Sequence, residues 1–300
     1  MKLDYILNIL IYSFVVLIWG GSFLAIEYQL GIVPESTSIF FRYVAASTIL
    51  FFICIIAKKS MFNFPIKYHF LFFMVGLFFF SLNYLLIYKA QNYLTSGTTA
   101  VAFAMCLFFS QINSKIFLGF KLKIKTTIGG IIGIFGIFLL FSSSIFSEKS
   151  EYNELFGVSL ILAASYIVSL ATIVTAKINL NKIPILQANS WAMIYGTIIN
   201  FILLLITGSK IAFDPRISYW ISFCYLVIIS SIIGFILYFL LVKRIGPEKS
   251  SYFAIMSPMV AVIISVFAEN LQITITLITG VFFVLIGNFI AVKSKFNSKK

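Results

Sequence analysis

The chain has 300 residues, of which 61% are hydrophobic and 10% are charged, and its formal net charge is +13. A soluble domain has about 45–50% apolar and about 25% charged residues, so this composition excludes an ordinary soluble protein. The positive charges stand mostly at the ends of long apolar runs, which favours a membrane topology signal over a basic nucleic-acid-binding face and predicts no nucleic-acid partner.

Long apolar runs recur along the chain at lengths that suit helices crossing the roughly 30 Å hydrocarbon core of a bilayer. They predict an all-α polytopic membrane protein with ten transmembrane helices, embedded in the lipid bilayer. The first run is too long for the core of a signal peptide, so we expect it to stay as an anchor. The predicted helices span residues 5–28, 33–57, 67–90, 95–118, 125–143, 156–178, 183–208, 217–242, 248–268 and 273–293.

The distribution of lysine and arginine between the predicted loops sets the expected orientation. Alternate loops are rich in these residues, and we assign them to the cytoplasm together with both termini. The segment Ser142–Leu155 is polar and acidic, and we expect it outside. We expect this multi-pass protein in a bacterial-type inner membrane. The predicted outer segments carry only Lys89, Lys149, Lys210 and Arg216.

The two halves of the sequence repeat one pattern. Gly129 and Gly280 lie 151 positions apart, as do Gly136 and Gly287. We predict a first five-helix unit over residues 1–143, an external linker over 144–155, a second unit over 156–293 and a basic cytoplasmic tail over 294–300. An odd number of helices per unit makes the second unit inverted in the membrane. Inverted repeats usually place the substrate near the midplane between them.

Short motifs in this order resemble the drug/metabolite transporter superfamily of the EamA type. They are Trp19-Gly20-Gly21-Ser22-Phe23, Phe41-Arg42-Tyr43, the stretch that starts at Asn83, and Ser257-Pro258 followed by Glu269. The resemblance covers nearly the whole chain and implies ten helices in two inverted five-helix repeats. It also implies a secondary transporter without a bound cofactor, which exports amino acids or related small polar metabolites.

The first half departs from the pattern of the resemblance. The positions that match Pro258 are Leu107 or Cys106, and those that match Glu269 are Leu118 or Phe117. The proline and the acid often found in helix 4 of that family are therefore missing here. This argues against symmetric gating by the two halves.

Arg42 is a charge within predicted helix 2, about 12 Å along the helix from Pro34. A charge at a helix centre costs roughly 2.5–3.5 kcal/mol on insertion scales, so Arg42 should find a partner or water. Two interpretations stay open. It binds a carboxylate or phosphate of the substrate, or it is structural, snorkelling outward and paired with Glu27 or backbone carbonyls. Glu27 is then a gating or structural residue.

Three further residues are candidates for substrate binding. Trp19 lies near the middle of predicted helix 1, away from the interfacial zone that tryptophan prefers, and either lines a cavity or packs between helices. Tyr166 is the nearest aromatic residue in the second half. Asn83 is an uncharged polar residue in predicted helix 3, which the resemblance places at the interface between the repeats.

Pro258 and a set of glycines are expected to act on the scaffold. Pro258 removes one hydrogen bond within predicted helix 9 and is expected to kink or gate it. Gly129, Gly133 and Gly136 fall on one face of predicted helix 5 and allow a neighbouring helix to approach closely. That neighbour is either a helix of the same chain or a second copy in a homodimer.

Two other classes of function remain as alternatives. A membrane-embedded enzyme is disfavoured, because His69 is the only histidine and the sequence offers neither a metal cluster nor an intramembrane acid pair. We therefore expect no metal and no catalytic residues. A scaffold or receptor that transports nothing would not need polar residues within the membrane spans of both halves.

Overall fold

The computed structural model describes residues 2–119, 124–142, 152–250 and 252–296. Over these ranges the chain is helical and contains no strand, which confirms the all-α polytopic class. Seven helices are long and apolar enough to cross a membrane, and Ile124–Leu140, Phe253–Ala268 and Ile275–Ala291 are shorter apolar helices. The ten helices are α1 Lys2–Glu27, α2 Glu35–Ile56, α3 Ile66–Gln91, α4 Ser96–Leu118, α5 Ile124–Leu140, α6 Tyr152–Leu180, α7 Ile185–Ile206, α8 (Ile217–Cys224, Tyr225–Ile233 and Gly234–Ser250 in succession), α9 Phe253–Ala268 and α10 Ile275–Phe296.

Proline sets the start of three helices. Pro34, Pro65 and Pro184 are the N-caps of α2, α3 and α7. Proline fixes its own φ and disfavours helical geometry in the residue before it, so the chain enters each helix from an extended conformation. These starts lie within two residues of the predicted ones.

The predicted break between helices 8 and 9, over residues 243–247, is wrong. Residues in this stretch continue α8 to Ser250, and α9 begins at Phe253. Hydropathy marks where a helix leaves the hydrocarbon, whereas its backbone hydrogen bonds continue through polar residues.

Two helices contain wide π-helical turns at matching places in the two halves. They are Phe78–Leu82 in α3 and Tyr225–Ile233 in α8. Such turns expose backbone groups that need other partners. In α3, Asn200 of α7 donates to the carbonyl of Phe80 over 3.0 Å and accepts from the Ser81 hydroxyl over 2.7 Å. A side chain from the other half of the chain therefore supports this turn.

The helices interlock between the halves. Helix α2 packs on α7 and α8, while α7 packs on α3; α1 packs on α8 and α9, while α6 packs on α3 and α4. Two further close pairs are α4 with α9 and α5 with α10. A shift of five helices converts each of these contacts either into itself or into another of them.

The α5–α10 contact depends on glycines. A Cβ atom on Gly136 would lie 2.6 Å from the backbone nitrogen of Val284, and one on Gly280 would lie 2.8 Å from Leu140. Gly129 faces Gly287 in the same way, whereas a Cβ on Gly133 would meet the Met105 sulfur at 3.1 Å. An intramolecular contact thus accounts for Gly129 and Gly136, and the homodimer stays a prediction.

The connections that the sequence assigns to the outside lie at one end of the bundle, which we call the outer end. Ser36 donates to Ser209 over 2.8 Å, Asn92 donates to Glu35 over 2.7 Å, and Arg216 donates to the carbonyl of Leu30 over 2.8 Å. These bonds join the α1–α2, α3–α4 and α7–α8 connections. The longest predicted loop, Ser142–Leu155, falls mostly outside the described residues.

Candidate substrate site

Arg42 is enclosed between α2, α3 and α8. Its side chain is 0% exposed, and its Nε and Nη2 donate to the hydroxyl of Ser231 over 3.3 and 3.1 Å. The guanidinium carbon lies 4.3 Å from the ring centroid of Tyr84 and 5.3 Å from that of Tyr43. These contacts hold a cation through a hydroxyl and two aromatic faces.

The expected partner of Arg42 is therefore wrong. The structure pairs it with Ser231 and tyrosine rings, and Glu27 is not within ion-pair distance of it among the described residues. Complete burial also excludes snorkelling to the interface in this conformation. Ser231 belongs to the π-helical turn of α8, so Arg42 supports that turn from α2 much as Asn200 supports the turn of α3.

Trp19 belongs to an aromatic cluster between α1, α8 and α9. Its ring centroid lies 5.4 Å from those of Phe235 and Tyr238 and 4.5 Å from that of Phe253. The side chain is partly buried. Trp19 thus packs between helices, and its remaining exposed surface can line a cavity.

Asn83 follows the π-helical turn of α3 directly. Its side chain is 2% exposed, and its amide nitrogen lies 3.5 Å from the carbonyl of Phe79, a long hydrogen bond. Its Oδ1 atom has no hydrogen-bond partner within the described part of the chain. Buried amide oxygens are rarely left without a donor, so this atom is available to a ligand.

One ring connects Trp19 with the region of Asn83. Phe235 of α8 contacts Trp19 and also lies 5.7 Å from Phe79 and 5.9 Å from Phe80, measured between ring centroids. We call the cluster formed by Trp19, Phe79, Phe80, Phe235, Tyr238 and Phe253 the aromatic centre. It joins α1 and α3 of the first half to α8 and α9 of the second.

Tyr166 lies apart from this centre. It is 44% exposed, and its ring packs edge-on against Phe109 of α4 with 5.8 Å between centroids. The offset of 151 between the two halves matches Trp19 to Leu170, one helical turn away from Tyr166. Tyr166 therefore remains a candidate that the fold does not bring to Trp19, Asn83 or Arg42.

Pro258 is buried inside α9. A Cβ on Gly20 would lie 2.9 Å from the carbonyl oxygen of Ser257 and 2.8 Å from Val260. The glycine at this point of the Trp19–Phe23 motif thus allows α1 to approach α9 beside the proline.

A polar cavity of about 450 Å³ opens at the outer end. Its polar lining includes Glu27 of α1, Gln91 of α3, Arg216 and Glu269. Glu269 accepts from the backbone nitrogen of Ser96 over 3.0 Å and from the Ser96 hydroxyl, so it caps the start of α4. Glu27 has no such partner, and its Oε2 atom is buried without a hydrogen bond to any described residue.

The sequence singled out Glu27, as a gating or structural residue, but not Gln91, and it predicted no cavity at this end. Gln91 donates from Nε2 to the carbonyl of Phe23 over 2.9 Å. A signal was present, because Trp19 and Glu27 are eight residues apart, as are Asn83 and Gln91. Eight residues are just over two helical turns, so each pair lies near one face of its helix.

The fold and these buried polar groups define a multi-pass α-helical membrane protein with polar sites between its helices. The chain is similar to proteins named as transporters. It is 23% identical over 286 residues to an uncharacterized transporter of Archaeoglobus fulgidus, covering 95% of this chain and 99% of that one. It is 23% identical over 281 residues to the uncharacterized transporter YoaV of Bacillus subtilis, covering 92% of this chain and 93% of YoaV.

Residues 6–142 and 155–293 each match the EamA-like transporter family. The chain belongs to this family, and it is a membrane transporter of the drug/metabolite superfamily type. A segment of 170 residues is also 28% identical to the uncharacterized inner membrane transporter YedA of Escherichia coli, covering 56% of this chain and 53% of YedA. A solved crystal structure shares the fold with a TM-score of 0.67 at 14% identity, covering 98% of this chain and 99% of that one.

Proposed function

We propose that the protein is a secondary transporter that exports amino acids or related small polar metabolites by alternating access. The observation that carries this proposal is the aromatic centre with Asn83 beside it. This site combines apolar walls with a buried amide oxygen that lacks a donor. Substrate pockets typically have such a composition, mostly aromatic with a few oriented polar groups.

The position of the aromatic centre supports a site between two inverted repeats. The proposed units, residues 1–143 and 156–293, correspond closely to the two family matches at 6–142 and 155–293. The most extensive contacts between helices also recur after a shift of five helices, which supports such a repeat. Alternating access then follows when one group of helices rocks against the other around the substrate.

The π-helical turns supply places where α3 and α8 can change their packing. Each turn is supported by a polar residue of the other half, Asn200 for α3 and Arg42 for α8. We propose that Arg42 serves this structural role and that substrate contacts come from Trp19 and Asn83. An enzymatic or purely scaffolding role is not needed to explain these residues, and the family match favours transport over both.

We further propose that the protein resides in the inner membrane with both termini in the cytoplasm. YedA, a relative in Escherichia coli, is named as an inner membrane transporter, which agrees with this location. The lysine and arginine distribution supports the orientation. The outer cavity then opens to the outside.

Transport in proteoliposomes tests the proposal. Labelled amino acids and related small polar metabolites are offered with and without a pH gradient, and the protein should move at least one of them faster than empty liposomes do. The variant Asn83→Leu should lower this rate by about tenfold or more, because it removes the free amide oxygen and fills its space. The matched variant Asn288→Leu makes the same change at another buried asparagine, whose amide nitrogen also lacks a partner among the described residues but which lies in α10, outside the aromatic centre, and it should keep the rate. A folded protein that moves none of the compounds would contradict the proposal.

A further inference from the structure

Two residues that line the outer cavity carry buried acceptor atoms without donors. They are Oε2 of Glu27 and Oε1 of Gln91, and neither forms a hydrogen bond with any residue that the structure describes. Gln91 is 3% exposed, and its orientation is fixed because Nε2 donates to the carbonyl of Phe23. The opposite amide orientation would set two carbonyl oxygens against each other. The atom without a partner is therefore the acceptor Oε1, and a donor group on a ligand would satisfy it.

The charges around the cavity favour a cation. Glu27 and Glu269 both line it, and each carries a carboxyl group. The one arginine in the lining, Arg216, donates from Nε to both oxygens of Asp214 over 3.0 Å and from Nη2 to the carbonyl of Leu30. Its charge is thus balanced by Asp214, and Glu27 and Glu269 make the lining acidic. A ligand carboxylate would be repelled here, whereas a cation would be attracted.

The cavity lies on the same helical faces as the aromatic centre. Glu27 is about 12 Å along α1 from Trp19, and Gln91 is about 12 Å along α3 from Asn83. Phe23 lies between Trp19 and Glu27 along α1, and its ring centroid is 5.9 Å from that of Phe103. The volume of about 450 Å³ suits a small metabolite. A molecule held at the outer end is therefore aligned with the proposed central site.

We propose that Glu27 and Gln91 form a binding site for the ammonium group of a small organic cation or zwitterion. The inference rests on the proposed function, since it names the substrate group that the transporter would recognise at its outer end. An ammonium group has three N–H donors. Two of them can satisfy Glu27 Oε2 and Gln91 Oε1, and its charge offsets the two carboxylates.

Binding of a matched pair of small ions to the purified protein in nanodiscs of zwitterionic lipid tests this site. The probes are n-butylammonium chloride and sodium butyrate at equal ionic strength, and the measurement is the rise of the thermal unfolding midpoint with probe concentration. We expect n-butylammonium to raise the midpoint in a saturable manner and butyrate to leave it unchanged. The variant Glu27→Gln should weaken the apparent Kd for n-butylammonium about tenfold or more, and Gln91→Met should weaken it about threefold or more.

Glu35→Gln is the control, because Glu35 lies at the same end but bonds to Asn92 and does not line the cavity. It should bind n-butylammonium as the unmodified protein does. Saturable butyrate binding of equal strength, unchanged affinity in Glu27→Gln, or no amine binding to the folded protein would overturn the proposal. In the last case Glu27 would be a site for a proton only.

The transport assay and the n-butylammonium binding assay can give negative results independently of each other. Amine binding that depends on Glu27, without movement of any metabolite in proteoliposomes, would keep the site and remove the transport proposal. Transport without Glu27-dependent amine binding would keep the transport proposal and remove the site.

Discussion

The hydrogen bonds between Arg42 and Ser231 predict a coupling energy between these two side chains. Replacing Ser231 by Ala removes the hydroxyl that accepts from Nε and Nη2, at 3.3 and 3.1 Å. Polar pairs within membrane proteins contribute about 0.6 kcal/mol on average, and a charged partner roughly doubles a hydrogen bond. We therefore expect a coupling energy of about 1–2 kcal/mol between Arg42→Met and Ser231→Ala in a double-mutant cycle.

The single variants should differ in a way that follows from the buried charge. Ser231→Ala leaves two N–H groups of a buried cation without an acceptor and should destabilise by about 1–3 kcal/mol. Arg42→Met also loses the contact with the Tyr84 ring, about 2 kcal/mol. However, it removes a charge whose insertion costs roughly 2.5–3.5 kcal/mol, so its net effect should be small.

Reversible unfolding in mixed micelles, followed by tryptophan fluorescence, measures these free energies. Ser230 supplies the control, since its hydroxyl lies 2.8 Å from that of Ser22, whereas Arg42 donates to Ser231. The cycle between Arg42→Met and Ser230→Ala should be additive within about 0.5 kcal/mol. Equal coupling to the two serines would refute the reasoning. A folded Arg42→Met protein that no longer binds substrate would instead make Arg42 part of the binding site.

Three further predictions concern packing, pH and topology. Gly136→Ala should destabilise by about 1–3 kcal/mol in the same unfolding assay, because its Cβ would lie 2.6 Å from the backbone of α10. Gly133→Ala should destabilise less, because its Cβ would meet only the flexible side chain of Met105, at 3.1 Å. Hydrogen bonds from the side chain of Arg216 lower the pKa of Asp214, so this pair stabilises the fold above about pH 4 and the contribution is lost as the pH falls through the lowered value. Thermal unfolding of Asp214→Asn should accordingly show a deficit at pH 7 that shrinks at pH 3; a deficit that does not change with pH would contradict this. A cysteine introduced as Ser147→Cys, in a background without native cysteines, should react with an impermeant maleimide on whole cells, and protection there would refute the topology.

The sequence by itself determined the ten helices, because the length of an apolar run is a local property and the bilayer thickness sets its minimum. Proline positions likewise set the starts of α2, α3 and α7 through local backbone geometry. The glycine spacing predicted a close helix contact, since a missing Cβ is visible in the sequence. The sequence did not show which helix packs against these glycines of α5, and in the structure it is α10.

Only the tertiary structure decided the surroundings of the polar residues. Arg42 and Ser231 are 189 positions apart, and no local rule links them; the sequence suggested Glu27 because it was the nearest acid on a neighbouring helix. The π-helical turn at Phe78–Leu82 also depends on Asn200, a side chain 120 positions from the carbonyl of Phe80 that it supports. The partners of buried polar groups are set by the relative rotation and depth of whole helices. These come from packing summed over the entire bundle, so they cannot be read from any one segment.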